Sequence, residues 1–297
     1  DGNDDDSVDA GVYPCEEISG VLFLDNNNNG CQDAGDGDTG LAGETVNIYL
    51  CDAAGAPSGS PVATTATGTD GSYAFGPDET GSANVCLDPA ETYVVEFSTK
   101  PANSEFSTNE TCAGTEDADD VDPATGLSAC YDPSDDDDDD DVDAGIYPCQ
   151  EMSGQLFMDM NNDGCLTTAD GDAGIAGETV NVYECDTNGA PSGSPVGTAT
   201  TGTDGTYTFG PDESGSANVC LDPAKTYAIE FATRPDNSEF STNDTCPGTE
   251  DADDVDPTTG LSDCQDPSDE DGDDDDHTDA GVYPCEEVSG VLFLDNN

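Results

Sequence analysis

Positive charge is nearly missing from this chain. Lys100, Lys225 and Arg234 face 69 aspartates and glutamates, for a formal net charge of −66. No basic surface exists to neutralise phosphates, so nucleic acid is excluded as a partner. Anionic membranes are excluded by the same argument. Histidine occurs once, as His277 in an acidic stretch where the matching place of the repeat holds Ser7, and tryptophan does not occur. Acid–base and nucleophilic catalysis therefore find no support, and there is no indole to line a sugar cleft for paired-carboxylate glycoside cleavage. The chain reads as non-enzymatic. It also shows no secretory leader, transmembrane run or sorting tail, and membrane insertion of this segment is not expected.

What is there is repetition. The opening 27 residues recur almost unchanged as the closing 27, and Cys15, Cys149 and Cys285 mark periods of 134 and 136 residues. The sequence reads as a window on a longer array, with neighbouring repeats or identical chains as end-to-end partners. The expected divisions are a last strand of a preceding repeat at 1–14, repeats at 15–148 and 149–284, and a first strand of a following repeat at 285–297.

Low hydrophobicity with high net charge is the usual signature of disorder, and two carboxylates about 4 Å apart repel by up to ~4 kcal/mol at an effective dielectric near 20. Against disorder stand strand-like apolar segments and thirteen cysteines. Each repeat carries six, Cys15, Cys31, Cys51, Cys86, Cys112 and Cys130, then Cys149, Cys165, Cys185, Cys220, Cys246 and Cys264, at identical spacings of 16, 20, 35, 26 and 18. No CxxC pair occurs, which disfavours zinc; an oxidised, extracellular or cell-surface disulfide frame is expected. Fifteen pairings per repeat are open, and Cys112–Cys130 is the one favoured here because it brackets an acidic string.

Period-two alternation dominates. Ile18–Asp25, Gly43–Cys51, Pro61–Thr69 (after a Pro-Ser-Gly-Ser turn), Ser72–Phe75 and Thr92–Ser98 read as strands, with Gly126–Tyr131 and Val142–Tyr147 as weaker ones. In Thr92–Ser98, Tyr93, Val95 and Phe97 face one way and Val94, Glu96 and Ser98 the other. Roughly seven short strands in about 135 residues predict an all-β fold of tandem β-sandwich repeats.

Two acidic strings carry the chemistry. Asp25-Asn-Asn27-Asn-Asn29-Gly30-Cys31-Gln-Asp33-Ala-Gly-Asp36 fits the calcium-loop spacing, with Asp in place of the final Glu. Alternate oxygen-bearing side chains converge on one hard cation, Gly30 permits the turn and the Cys31 carbonyl supplies the backbone ligand. The second repeat offers Asp159, Asn161, Asp163, the Cys165 carbonyl, Thr167 and Asp170, and Asp295 begins a third loop. The flanks are strands, so these are EF-like loops without EF helices; a plain Asx-rich turn is the competing reading. The second string, Asp117, Asp119, Asp120 and Asp122, matched by Asp251, Asp253, Asp254 and Asp256, reads as a further calcium site or as a solvated acidic loop. Asp135–Asp141 has no spacing pattern and reads as a linker. Asn109 and Asn243 head equivalent glycosylation sequons, so glycans are further expected partners.

Taken in order, Gly20-Val-Leu-Phe-Leu-Asp25, Gly40-Leu-Ala-Gly-Glu-Thr-Val, Thr69-Asp-Gly-Ser-Tyr73-Ala-Phe75, Asp119-Asp-Val-Asp122-Pro and Asp143-Ala-Gly-Ile-Tyr-Pro resemble the calcium-binding B-type domains of serine–aspartate repeat surface adhesins. The resemblance implies a Greek-key sandwich of the prealbumin-like or collagen-adhesin-B-like kind, calcium in the loops, and tandem rigid stalks on bacterial surfaces. Six cysteines per repeat depart from that family. So does the lack of a lysine shared by both repeats, since Lys100 aligns with Arg234 and Lys225 with Glu91; an internal Lys–Asn isopeptide bond is not expected. The function implied is a calcium- and disulfide-rigidified fibre or stalk. The alternatives are an adhesin or binding module and an acidic matrix that nucleates calcium mineral.

Overall fold

The structure is a computed structural model and describes residues 11–77, 83–108, 112, 118–134, 141–242, 246, 253–268, 277–285 and 289. The chain divides into two compact units, the first ending at Pro148 and the second beginning at Cys149.

The first unit contains β1 (Ile18–Leu24), β2 (Thr39–Gly40), β3 (Thr45–Cys51), β4 (Pro57–Ala66), β5 (Ser72–Phe75), β6 (Tyr93–Phe97), β7 (Ser104–Phe106), β8 (Val121–Asp122), β9 (Leu127–Ser128) and β10 (Ala144–Pro148). One sheet runs β2-β1-β10-β7 with β5 also on β1, and the other runs β4-β3-β6-β9-β8. Ile18, Leu22, Phe75 and Ile146 of the first sheet and Val46, Ile48, Val95 and Phe97 of the second share one buried core. That makes each unit a β-sandwich. The second unit repeats it with β11 (Met152–Met158), β12 (Ala173–Gly174), β13 (Thr179–Glu184), β14 (Gly197–Thr200), β15 (Thr206–Phe209), β16 (Tyr227–Phe231), β17 (Ser238–Phe240) and β18 (Ala280–Pro284).

The first and last strands of a unit lie side by side and parallel, with Leu22 opposite Ala144 and Leu156 opposite Ala280. Two residues explain the close fit. A Cβ on Gly20 would stand 2.1 Å from the Val142 carbonyl oxygen, so only glycine lets the closing segment approach. The buried Tyr73 hydroxyl then donates to that same carbonyl at 2.7 Å, as Tyr207 does to Thr278.

Six disulfides brace the units: Cys15–Cys86, Cys31–Cys112 and Cys51–Cys130, then Cys149–Cys220, Cys165–Cys246 and Cys185–Cys264. Each closes a loop of 71 to 81 residues, which in the chain-entropy account stabilises by roughly 4 kcal/mol. The expected Cys112–Cys130 bond is corrected. Cys51 ends β3, and the Tyr93–Tyr131 bridge beyond β9 brings Cys130 to that same end of the sheet. Cys112 instead joins the segment that runs along Gly30 and Cys31. Cys285 is an exposed free thiol.

One strand reading also changes. Residues 57–60, expected as a turn, belong to β4, which passes a bulge opposite Ile48 and Leu50 and pairs Pro57 with Cys51. The turn lies earlier, where Asp52 Oδ1 accepts the N–H groups of Ala54 and Ala56 at 2.8 and 3.0 Å. Val94, placed on the face opposite Tyr93, Val95 and Phe97, is itself buried. The last strand of a preceding repeat, expected within 1–14, lies partly outside the described residues, and residues 11–13 are exposed and carry no strand.

Candidate metal centre

The first acidic loop starts where β1 ends. Asp25 is fully buried, and its carboxylate gathers the loop around itself. Oδ1 accepts the Asn29 N–H at 3.1 Å, while Oδ2 accepts the Gly30 N–H at 2.8 Å and the Ser107 hydroxyl at 2.7 Å. Gly30 takes a φ of +78° and Asn28 a φ of +51°, the left-handed turn that glycine and asparagine tolerate. Asn27 and Asn29 both reach Asp36 Oδ2 through their side-chain amides, at 2.9 and 3.3 Å. Positions 1, 3, 5 and 12 of the loop are thus drawn together. Asp33 is not among them: it is exposed and caps the Gly35 N–H at 2.7 Å.

The second unit repeats this geometry with one more carboxylate. Asp159 is fully buried and accepts from Asp163 N, Gly164 N and the Ser241 hydroxyl at 3.2, 2.8 and 2.7 Å. Asn161 bridges Asp163 and Asp170 at 2.9 and 3.3 Å. Thr167, at the ninth position, gives its N–H to Asp172 at 2.9 Å. Cys31 and Cys165 hold the seventh position, and each is tied by a disulfide to a cysteine, Cys112 or Cys246, that precedes the second acidic string.

That string lies against the first loop. Asp119 N donates to Gly30 O and Asp253 N to Gly164 O, both at 3.0 Å. Asp119 is buried and accepts the Gly145 N–H at 3.1 Å. Asp120 accepts the Asp143 N–H at 3.0 Å, and Asp254 does the same for Asp279 at 2.9 Å. Asp122 and Asp256 turn elsewhere. Each is exposed and caps a turn, the first onto Ala124 and Thr125, the second onto Thr258 and Thr259. Beside the string a cavity of about 510 Å³ opens in the first unit along Asp119, Asp120 and Asp122. Its counterpart of about 580 Å³ is lined by Asp253, Asp254, Asp263 and Asp266. Asp117, Asp251, Asn109 and Asn243 lie outside the described residues.

Two pairs escape a sequence reading. Asp38 and Asp172, two places beyond the loop motif, are buried; Asp38 braces the Asn26 and Asp33 N–H groups at 3.0 and 2.9 Å. Asp143 and Asp279, in the closing segment, are buried and accept from Val21 and Gln155 at 2.7 Å. Their one signal is recurrence at the same place in both repeats.

Burial of this much negative charge is costly without a cation. The basic side chains are engaged elsewhere: Lys100 with Glu105, Lys225 with Glu184 and Asp222, Arg234 with Glu239. Burial, with Asp254 and Asp159 adding repulsion, pushes Asp253 up to about 8 despite N–H groups from Gly281 and Val255. Among the described residues no three Asp, Glu, His or Cys side chains converge as a ready-made metal centre. The gathered oxygens mix carboxylates with asparagine amides. In donor type they fit a hard cation such as calcium and do not suit zinc.

The fold and its bridges define a disulfide-braced β-sandwich domain of the surface-protein type. Residues 16–146 match the family of SdrD B-like domains, so the resemblance drawn from the sequence holds. Over 233 residues the chain is 26% identical to serine-aspartate repeat-containing protein F of Staphylococcus epidermidis, covering 77% of this chain and 11% of that protein. Over 245 residues it is 25% identical to serine-aspartate repeat-containing protein D of Staphylococcus aureus strain Newman, covering 82% and 16%. The chain therefore spans less than a fifth of the length of these relatives. Among solved structures, the shaft pilin SpaA from Lactobacillus rhamnosus GG aligns at a TM-score of 0.30 and 12% identity, covering 94% of this chain and 99% of that one. A streptococcal ancillary pilin aligns at a TM-score of 0.32 and 11% identity, covering 91% and 63%. Among the described residues no helix is long and apolar enough to cross a membrane.

Proposed function

We propose that this chain is a length of extracellular or cell-surface stalk whose sandwich units are stiffened jointly by disulfides and calcium. The observation that carries this reading is the buried carboxylate at the head of each acidic loop, Asp25 and Asp159, in a chain whose three basic side chains are engaged elsewhere. In the first unit Asp25, Asn27, Asn29 and Asp36 would hold the ion, and in the second Asp159, Asn161, Asp163 and Asp170. Calcium supplies the positive charge that the buried loops lack. The chain's own part is to gather these oxygens before the ion arrives, through the Asp25 and Asp159 hydrogen bonds and the disulfides at Cys31 and Cys165. With extracellular-type dissociation constants near 10⁻⁴ M and millimolar calcium, each site adds about 1.4 kcal/mol.

Stiffness along a stalk also needs short joints. Only Cys149, Gln150 and Glu151 separate β10 from β11. Two of the three are pinned to the second unit, by the Cys149–Cys220 bond and by Gln150 N donating to Leu221 O at 2.9 Å. The test is calorimetry and small-angle scattering of the disulfide-intact chain in calcium and in chelator. Chelation should lower the melting temperature by several degrees and shorten the particle. Unchanged melting and dimensions overturn the reading.

A further inference from the structure

The two loops share the hydrogen bonds of their head aspartates, Asp25 and Asp159, but differ at the fifth position, where the first unit has Asn29-Gly30 and the second Asp163-Gly164. An asparagine before glycine is the pair most open to succinimide chemistry, because no side chain shields the following amide nitrogen from the asparagine carbonyl carbon. Here the surroundings are arranged for that reaction. The Gly30 N–H, the attacking group, donates to Asp25 Oδ2 at 2.8 Å. The Asn29 Oδ1 accepts the Cys31 N–H at 2.8 Å. The Asn29 Nδ2, which must leave, donates to Asp36 Oδ2 at 3.3 Å.

We propose that Asn29 is a self-deamidation site built into the first loop. Asp25 takes the Gly30 N–H proton as the nitrogen bonds to the Asn29 Cγ. The Cys31 N–H stabilises the negative charge that develops on Oδ1, as an oxyanion donor does. The Cγ–Nδ2 bond breaks, and nitrogen leaves as ammonia carrying the proton that Asp25 had taken. Water then opens the ring, at Cγ to leave aspartate or at the main-chain carbonyl to leave isoaspartate. The net change is one water consumed and one ammonia released, with no oxidant and no added catalyst.

The second unit displays the aspartate product in place. Asp163 accepts the Cys165 N–H at 3.0 Å and gives its own N–H to Asp159 at 3.2 Å, so the loop holds aspartate at this position with the same bonds. Conversion of Asn29 would give the first loop a carboxylate at the fifth position, as the second loop has. This consequence rests on the calcium reading; the reaction itself does not.

Asn188-Gly189, in an exposed turn, is an internal reference, because the Gly189 N–H goes to the Asp186 main-chain carbonyl at 2.9 Å and not to a carboxylate. The test is peptide mass mapping of the chain aged near neutral pH in chelator, once folded with disulfides intact and once reduced in urea. Conversion at Asn29 relative to Asn188 should be about tenfold or more faster in the folded sample. A ratio that is equal in both samples, or lower in the folded one, overturns the proposal. The aged folded protein is then titrated with calcium. Tighter uptake by the first unit supports the link to calcium. Conversion at Asn29 with unchanged uptake leaves the modification site standing and overturns that link.

Discussion

The two units share a strand order, a disulfide pattern and a loop geometry, yet the fifth loop position holds Asn29 in the first and Asp163 in the second. In the first loop the Asn27 and Asn29 amides both donate to Asp36, whereas in the second the Asn161 amide donates to both Asp163 and Asp170. Counting acids along the sequence hides this difference, because Asp33 in the first loop appears to balance Asp163 in the second. Asp33 is turned away to cap Gly35. The comparison teaches that charge at a loop is set by which side chains the backbone turns inward.

The harshest way to break the symmetry is through the cores. Phe75 and Phe209 are both fully buried, each in the core cluster of its own unit. Phe75→Ala should cost about 3–5 kcal/mol and split one calorimetric transition into two, with the first unit melting early; Phe209→Ala should reverse the order. A single transition that moves as a whole for either variant shows that the units do not melt separately.

Next in size is the bridge between the acidic strings. Replacing Cys31 and Cys112 by serine removes an 81-residue closure and should cost about 2–4 kcal/mol. It should also weaken calcium uptake by the first unit alone, because Cys31 sits inside the loop. Replacing Cys15 and Cys86 should cost comparable stability while sparing uptake. Equal loss of uptake from both pairs, read by calorimetric titration, would show that the bridges act only through global stability.

A finer test exchanges the loops' charge. Asn29→Asp should tighten the first site about tenfold, and Asp163→Asn should weaken the second by a similar factor, since calcium affinity follows the number of charged ligands. The double variant should simply exchange the two affinities. Titration that returns two unchanged constants would remove the fifth position from the site.

Much of this was legible in the alternation of apolar residues and in the repeat. Ile18 to Leu24 and Thr45 to Cys51 announce themselves because burial alternates along most of each, while Tyr93 to Phe97 buries all but Glu96. The pairing of cysteines was not legible, because spacing along a chain carries no information about which strands become neighbours. Cys112 lies 18 residues from Cys130, yet it bonds Cys31 across 81 residues. The same limit hid Asp143 and Asp279. Their carboxylates matter because the closing strand inserts beside the opening one and brings them to Val21 and Gln155, a consequence of parallel pairing between the two ends of a unit. Short strands such as β2 and β8 escaped for a different reason. Two residues cannot display a period.

The smallest effect separates ligand from scaffold within the second acidic string. Asp119 and Asp253 are buried against the first loop, whereas Asp122 and Asp256 are exposed and cap turns through two or three hydrogen bonds. Both acids in each pair look alike in sequence, so a solvated acidic loop and a cation site predict different consequences for them. Asp122→Ala should cost about 0.5–1 kcal/mol through the lost cap and leave calcium uptake unchanged. Asp119→Asn, which keeps the shape and removes the charge, should instead weaken uptake and make chelation matter less to the melting temperature. If the two substitutions reduce uptake equally, the string acts through its summed field and not through a built site. In that case the burial of Asp119 beside Gly30 would need another explanation.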